Sequence, residues 1–491
     1  MESDYEFALG DQKHYPHFDA PISRRNIRQM LRDFEAGPDR AFYPFFRYEQ
    51  SWQPYRLDGQ DKPERKTREI RYGARRDAYV FAFYRRKLAR LYETRLAELG
   101  IADCPIAYRQ VRKGNGGGKC NIDFAKDAFD EIDRLGDCVA VALDIRKYFE
   151  RLDHRRIKRV WCDLLGVDEL PADHFAVYRN ITRYRTVDQR EVFRRLGFFG
   201  PKFVNGQWIE GFLRPYRDVP KKLCSRQEFE EKICGKGPGA GPSLVVVNEN
   251  EYGIPQGAPI SDLIANFYLM EFDTVMAAYA RERGGTYMRY SDDILLILPG
   301  GRSEADAAID FAVDEVCRHG PELRIKEQKT CVALFRRAGD RLDFEHIPQH
   351  PEEPNKNGFE YLGFRYDGRR VYVRDSTISG FYRKVATAAN SEAAKLVAAN
   401  PTRGAAELIG VFDFSLFSQR FARVKRTKLT DDYRSWTFYT YLKRASGTFE
   451  TKGDRILRQA SGFPDFVRSR VEEAITTRVA KRRTPKPENT A

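Results

Sequence analysis

Asp292 and Asp293 stand side by side in the stretch RYSDDILLI, directly before a run of aliphatic residues. Adjacent carboxylates repel, and acids beside an apolar run are costly unless something neutralises them. The pair is therefore either a solvated turn or a place built for a cation. The chain carries its own control at Asp431 and Asp432, in the polar stretch KLTDDYRSW, where a helix start that favours acids is the simpler account. Around Asp292 the flanks are instead GTYMRY and ILLIL, which put Ser291 and Asp292 at the tip of a tight hairpin between two strands. Far upstream, the apolar run CVAVALDI brings Asp144 to the end of a third strand. If these elements pair, Asp144 and Asp292 meet at one sheet edge. Hard divalent cations such as magnesium take oxygen ligands, usually one or two carboxylates completed by substrate phosphates. Two such cations clamp the attacking and leaving oxygens of an in-line phosphoryl displacement. Metal-assisted phosphoryl transfer is the chemistry these acids could do.

Other candidate groups are weaker. His346 and His350 have a ligand-like spacing, but no cysteine or second histidine pair lies near them, so a loop role is expected. The eight cysteines form no CxxC pair and several sit in apolar stretches, as reduced core residues do. GNGGGK lacks the spacing of a phosphate-binding loop and reads as a mobile tip. Lys and Arg number 85 against 71 Asp and Glu, a net charge of +14, which points to a polyanionic partner. The excess gathers in KPERKTREIRYGARR and RFARVKRTKLT, with aromatics nearby, the mixture found in nucleic-acid grooves. No apolar run approaches a membrane span and the acidic start does not read as a signal peptide, so a cytoplasmic protein is expected.

The elements that must hold these groups can be read from periodicity. A Ser-capped helix is expected in PHFDAPISRRNIRQMLRDF, and a long one from about Asp77 to Leu99. IAYRQVRKGNGGGKCNI reads as a strand running into a hairpin loop. CVAVALDI is a strand, followed by helical RRIKRVWCDLL. SDLIANFYLMEFDTVMAAYARE reads as one long amphipathic helix and EADAAIDFAVDEVCRHG as another. FEYLGFRYDGRRVYV gives two strands around an Asp-Gly turn. Residues 181–250 resist periodic reading and are expected to be a connection. Beyond residue 375 the chain is basic and helical, with a tail that lacks core-forming residues.

Taken in order, these segments resemble a reverse transcriptase. VALDIRKYFERLDH looks like the first palm motif of that family, GIPQGAPISDLIANFYL like the second and RYSDD like the third. LRIKEQKT resembles the fourth, and FEYLGF the primer-grip segment. RKTREIRYGARRDAYVFAFYRRKL resembles a fingers segment whose basic residues meet the incoming triphosphate. PHFDAPIS, FYPFFRY and NIDFAKDAF are similar to bacterial reverse transcriptases of the unknown groups, many of them linked to phage defence. Ser291 stands where a small or apolar residue is common, and no Val-Thr-Gly segment of the retron type follows the primer grip.

The resemblance implies an α+β right-hand polymerase. Its parts would be an N-terminal extension over 1–60, fingers over 61–140, palm over 141–180 and 251–374, a connection over 181–250, and a basic helical thumb over 375–491. It implies magnesium, with manganese as a substitute, held by Asp144, Ile145, Asp292 and Asp293. Lys329 would steady or protonate leaving pyrophosphate. Phe149 would lie under the sugar and exclude a 2′-hydroxyl by clash. Gln256, Gly257, Arg68 and Tyr290 would contact the nucleotide, the glycine by letting backbone approach it. Partners would be an RNA template (a dedicated non-coding RNA is one option), dNTPs and a DNA product. Three other readings stay open: an RNA-dependent RNA polymerase, a non-catalytic nucleic-acid-binding scaffold, and a template-independent or protein-primed DNA polymerase.

Overall fold

The computed structural model describes residues 14–38, 40–52, 65–114, 116–204, 206–351, 353–421 and 437–483. In chain order, helix α1 (Arg24–Ala36) precedes strands β1 (Phe45–Trp52) and β2 (Lys66–Tyr72), then helices α2 (Arg75–Glu98) and α3 (Asn121–Leu135). Strand β3 (Cys138–Asp144), helices α4 (His154–Leu165) and α5 (Ala172–Thr182), and strand β4 (Arg185–Asp188) follow. Helix α6 (Gln189–Arg195) leads to β5 (Phe199–Val204), β6 (Gln207–Phe212) and β7 (Val246–Val247). Next come helices α7 (Ser261–Tyr268) and α8 (Met270–Glu282), the hairpin β8 (Thr286–Tyr290) and β9 (Asp293–Pro299), and helix α9 (Arg302–Arg318). Strands β10 (Cys331–Ala338), β11 (Arg341–Ile347), β12 (Phe359–Tyr361), β13 (Phe364–Tyr366) and β14 (Val371–Val373) complete the β structure. Helices α10 (Asp375–Ala399), α11 (Ala405–Val411), α12 (Phe414–Gln419), α13 (Phe438–Phe449) and α14 (Phe463–Arg483) end the described chain. Among the described residues, no helix is long and apolar enough to cross a membrane.

The central sheet runs β11-β10-β3-β9-β8, antiparallel throughout. Two of its three inner strands, β3 and β9, are apolar at nearly every position because both faces are covered. Side chains alternate across a strand: Val139, Val141, Leu143, Ile294, Leu296 and Leu298 enter one core cluster with α2, α4, α7 and α8. Cys138, Ala140, Leu295 and Ile297 enter the other, with α3, β12, β13, β14 and α13. That arrangement is why CVAVALD and ILLIL show no polar alternation.

A second sheet has the order β2-β1-β4-β7. β1 and β2 form an antiparallel hairpin, and β4 joins β1 in parallel. A division at residue 60 would cut that hairpin, and the stretch expected to be a connection supplies β4 and β7 to the same sheet. The C-terminal helices pack by simple periodicity. Phe381, Val385, Ala389, Ala393 and Val397 recur every four residues on α10, and Phe463, Val467, Val471, Ile475 and Val479 do so on α14. Rows at that spacing form the ridges by which helices interdigitate. The cluster RFARVKRTKLT and the pair Asp431 and Asp432 lie outside the described residues, apart from Arg420 and Phe421.

Three expectations are corrected. IAYRQV forms no strand; Cys104 and Ile106 instead bond to the backbone of Arg289 beside β8, and Tyr108 takes φ 59, which breaks an extended run. The expected single helix from Ser261 divides at Leu269 into α7 and α8. The carbonyls of Asn266 and Tyr268, in the last turn of α7, accept side-chain bonds from Arg289 (3.1 Å) and Arg156 (3.1 Å). FEYLGFRYDGRRVYV forms three strands, because the chain also turns at Leu362 and Gly363, both at positive φ.

Candidate active site

Pairing of β3 with β9 sets Asp144 directly opposite Asp293. The Ile145 amide donates to the Asp292 carbonyl (3.0 Å), closing the same end of the sheet. The three acids thus converge at the mouth of two inner strands rather than at an outer edge. The two-residue turn Ser291–Asp292 joins β8 to β9 as expected, with Ser291 at φ 62. That left-handed conformation costs a non-glycine residue roughly 1–2 kcal/mol, so something must hold it.

The hold comes from below. Arg289, on β8, is fully buried, and its Nη1 donates to the Ser291 carbonyl (2.9 Å). Its Nε and Nη2 make a two-pronged ion pair with Asp273 on α8, each at 2.6 Å, and Asp273 is equally buried. Tyr287 donates a further bond to Asp273 (2.6 Å). No chemistry-bearing motif marks Asp273, and Arg289 differs from the chain's many surface arginines only by its place beside Tyr290. Spacing could not have found this pair.

Electrostatics at the turn are strongly biased. Enclosure by protein, then the charges of Asp292 and Asp144, push the Asp293 carboxyl up to about 7, opposed by Lys329 and Arg374. Asp293 stays open to solvent on one side, so water screens part of that effect. Burial also raises Asp292, with Asp144 adding to it. Lys329 ion-pairs with Asp144 and keeps about half of its side chain (51%) in solvent. Because the Asp293 carboxyl is raised in the fold, its contribution to stability is full below the ordinary carboxylate range and is lost as pH rises through about 7. In thermal melts without divalent cations, the parent should lose stability between about pH 4 and about pH 7 relative to Asp293→Asn. Parallel melting curves at both pH values would sink this account.

Among the described residues, no group of three or more His, Cys, Asp or Glu is placed to hold a metal ion. Magnesium usually takes only one or two carboxylates and completes its shell with waters and substrate phosphates, a demand that two of these aspartates would meet. His346 bonds to Glu353 (3.1 Å), which also accepts from Lys356 and the Gln349 amide, so that histidine closes a loop.

The remaining candidates gather around the turn. Phe149 is partly buried against the core, and its carbonyl accepts from Ile254 (2.8 Å), tying it to the Pro-Gln-Gly segment. The Gln256 carbonyl accepts from Arg71 on β2 (3.1 Å). Gly257 has φ 116, and a Cβ there would stand 2.1 Å from the Arg71 carbonyl. The close approach of β2 is by itself enough to require glycine here. Tyr290 meets Tyr108 with ring centroids 6.3 Å apart. Burial pushes the Tyr108 hydroxyl up, Asp292 adds to this and Arg68 opposes it, so the exposed Arg68 lies within electrostatic reach of the turn. Arg85 grips Asp262 at 2.8 and 2.9 Å and so locks α7 to α2. Tyr108 carried no sequence signal of its own, and Arg85 was marked only as one of several basic residues in the segment expected to meet triphosphate.

No protein-family model matches the chain, and no curated protein matches it. Solved structures similar to it include telomerase from Candida tropicalis truncated from its C-terminal domain. That match has a TM-score of 0.34 and 10% identity and covers 74% of this chain, which spans 63% of that one. Apo telomerase from the same organism gives 0.36 at 11% identity, covering 96% of this chain and 66% of that one. Telomerase from Candida albicans in complex with the TWJ fragment of telomeric RNA gives 0.35 at 10% identity, covering 94% and 68%. Likeness at this level defines no shared fold, and the functional reading rests on the residues above.

Proposed function

We propose that this chain is an RNA-directed DNA polymerase that uses two magnesium ions, with the central sheet as palm and the C-terminal helices as thumb. The observation that carries this is the meeting of Asp144 with the Asp292–Asp293 turn at the end of β3 and β9. Asp144, Asp292 and Asp293, with the backbone of Ile145, would hold the ions, which when bound stabilise charge on the attacking and leaving oxygens. A bond forms from the primer 3′ oxygen, whose proton passes to solvent, to the α-phosphorus of a dNTP, and the bond to pyrophosphate breaks. Lys329, half in solvent, is free to exchange Asp144 for the departing pyrophosphate. Arg68 lies on the strand that docks the Pro-Gln-Gly turn, where it would meet triphosphate. A role in phage defence rests on the resemblance of the N-terminal segments, and loss of plaque protection with Asp292→Asn tests it.

Primer extension with dNTPs or rNTPs, followed by sequencing of the product, tests the polymerase directly, since the product reveals template, primer and sugar together. Phe149→Ala or Phe149→Val should admit ribonucleotides at least about tenfold better than the parent, because a steric clash is relieved without touching the acids. A parent that already uses rNTPs as readily as dNTPs would end the steric-gate reading and favour an RNA polymerase. No incorporation of either, with nucleic-acid binding intact, would leave a scaffold.

A further inference from the structure

The β5–β6 hairpin leaves its largest side chains in solvent: Trp208 is 71% and Phe203 61% exposed. The two are register partners and meet edge-to-face at 5.5 Å. Side chains two apart share a face of a strand. Phe199 and Phe212 at the base and Phe203 and Trp208 near the tip therefore share one face, with Pro201 and Glu210 between the two pairs. At the base, Phe199 and Phe212 meet at 5.5 Å, and Phe212 packs on Phe193 of α6 (5.6 Å). Phe193 is buried in the cluster that includes Phe46 of β1. The ladder of rings is thus rooted in the sheet that carries Arg68 and ends in open solvent.

The sequence of the hairpin and of the segment that follows it is basic. Across residues 199–222 the chain places Lys202, Arg214, Arg217, Lys221 and Lys222 against only Glu210 and Asp218. Both acids are already engaged, Glu210 by Arg194 (3.2 Å) and Asp218 by Arg217 (3.7 Å). Arg190 and Arg194 lie over the Phe199 ring at 5.5 and 5.8 Å. Protein-binding faces are poor in lysine at their centre. A basic track beside exposed aromatic rings is the combination that holds single strands, since every base has a π-face to stack.

We infer that the aromatic face of the β5–β6 hairpin binds single-stranded nucleic acid, with bases stacking on Trp208 and Phe203 and the flanking cations on its backbone. The surface lies outside the acidic turn and goes beyond the polymerase reading. Its function does not require that reading to hold.

Fluorescence anisotropy of labelled oligo-uridylate and oligo-thymidylate with the full chain, without nucleotides, tests it. The double variant Phe203→Ala/Trp208→Ala should bind at least about tenfold more weakly, whereas Phe203→Tyr/Trp208→Phe should stay within about threefold of the parent. Arg214→Glu/Arg217→Glu should weaken binding and flatten its salt dependence. Loss with one oligonucleotide alone identifies the sugar the hairpin prefers, and loss with both makes it indifferent. Unchanged affinity for both in the alanine double variant overturns the proposal. If that variant also breaks up a self-associated species in light scattering, the hairpin is a protein contact. A parent that binds through Trp208 yet extends no primer ends the polymerase reading and leaves the hairpin assignment standing.

Discussion

Asp292→Asn and Asp144→Asn should each reduce nucleotide incorporation by about 10³-fold or more while the protein keeps its fold. Removing one preorganised electrostatic group commonly costs 10²–10³ in rate, and here that group would also hold the metal, so the loss is placed at about the upper end or beyond. The amide keeps the size of the carboxylate and discards its charge. Folding survives because each change removes a repulsion: Asp144 raises the Asp292 carboxyl, and both raise Asp293. The partner left behind by Asp144→Asn is Lys329, whose half-exposed ammonium can be rehydrated. Single-turnover extension beside a thermal melt separates the two effects. A variant that extends primers at near-parental rate would show that the acids do not hold the catalytic ions.

Arg289→Met should be the most damaging single change for stability, at about 3–5 kcal/mol, because it leaves the buried Asp273 carboxylate unpaired. It also removes the donor to the Ser291 carbonyl, on which the left-handed turn depends. These two losses can be pulled apart. The double change Arg289→Met/Asp273→Leu should recover much of the stability, since no charge is stranded, yet its primer extension should stay impaired because the turn still lacks its donor. Denaturant unfolding and single-turnover rates, measured on both variants, give the comparison. A double variant that regains stability and activity together would mean that Ser291 and Asp292 hold their geometry without Arg289.

Tyr108 illustrates where sequence reading stopped. Its segment alternates like a strand, but tertiary contacts with the edge of β8 take its backbone bonds and leave Tyr108 at φ 59 beside Tyr290. The break between α7 and α8 has the same origin, since the carbonyls that end α7 are taken by arginines from other elements.

The sequence by itself determined the acids, the hairpin that displays two of them, and the apolar strands that point them. It could do so because strand periodicity and charge repulsion are local properties, written in a few consecutive residues. Register was decided only by tertiary structure: Asp144 faces Asp293, at the mouth of two inner strands, because both strands bury two faces and a one-residue slip would put the small Cys138 and Ala140 into the core that Val139, Val141 and Leu143 fill. The Arg289–Asp273 clamp and the contact of Gly257 with Arg71 were likewise beyond reach of the sequence. Each joins residues on separate elements, and its energy comes from burial, which exists only once the elements have packed.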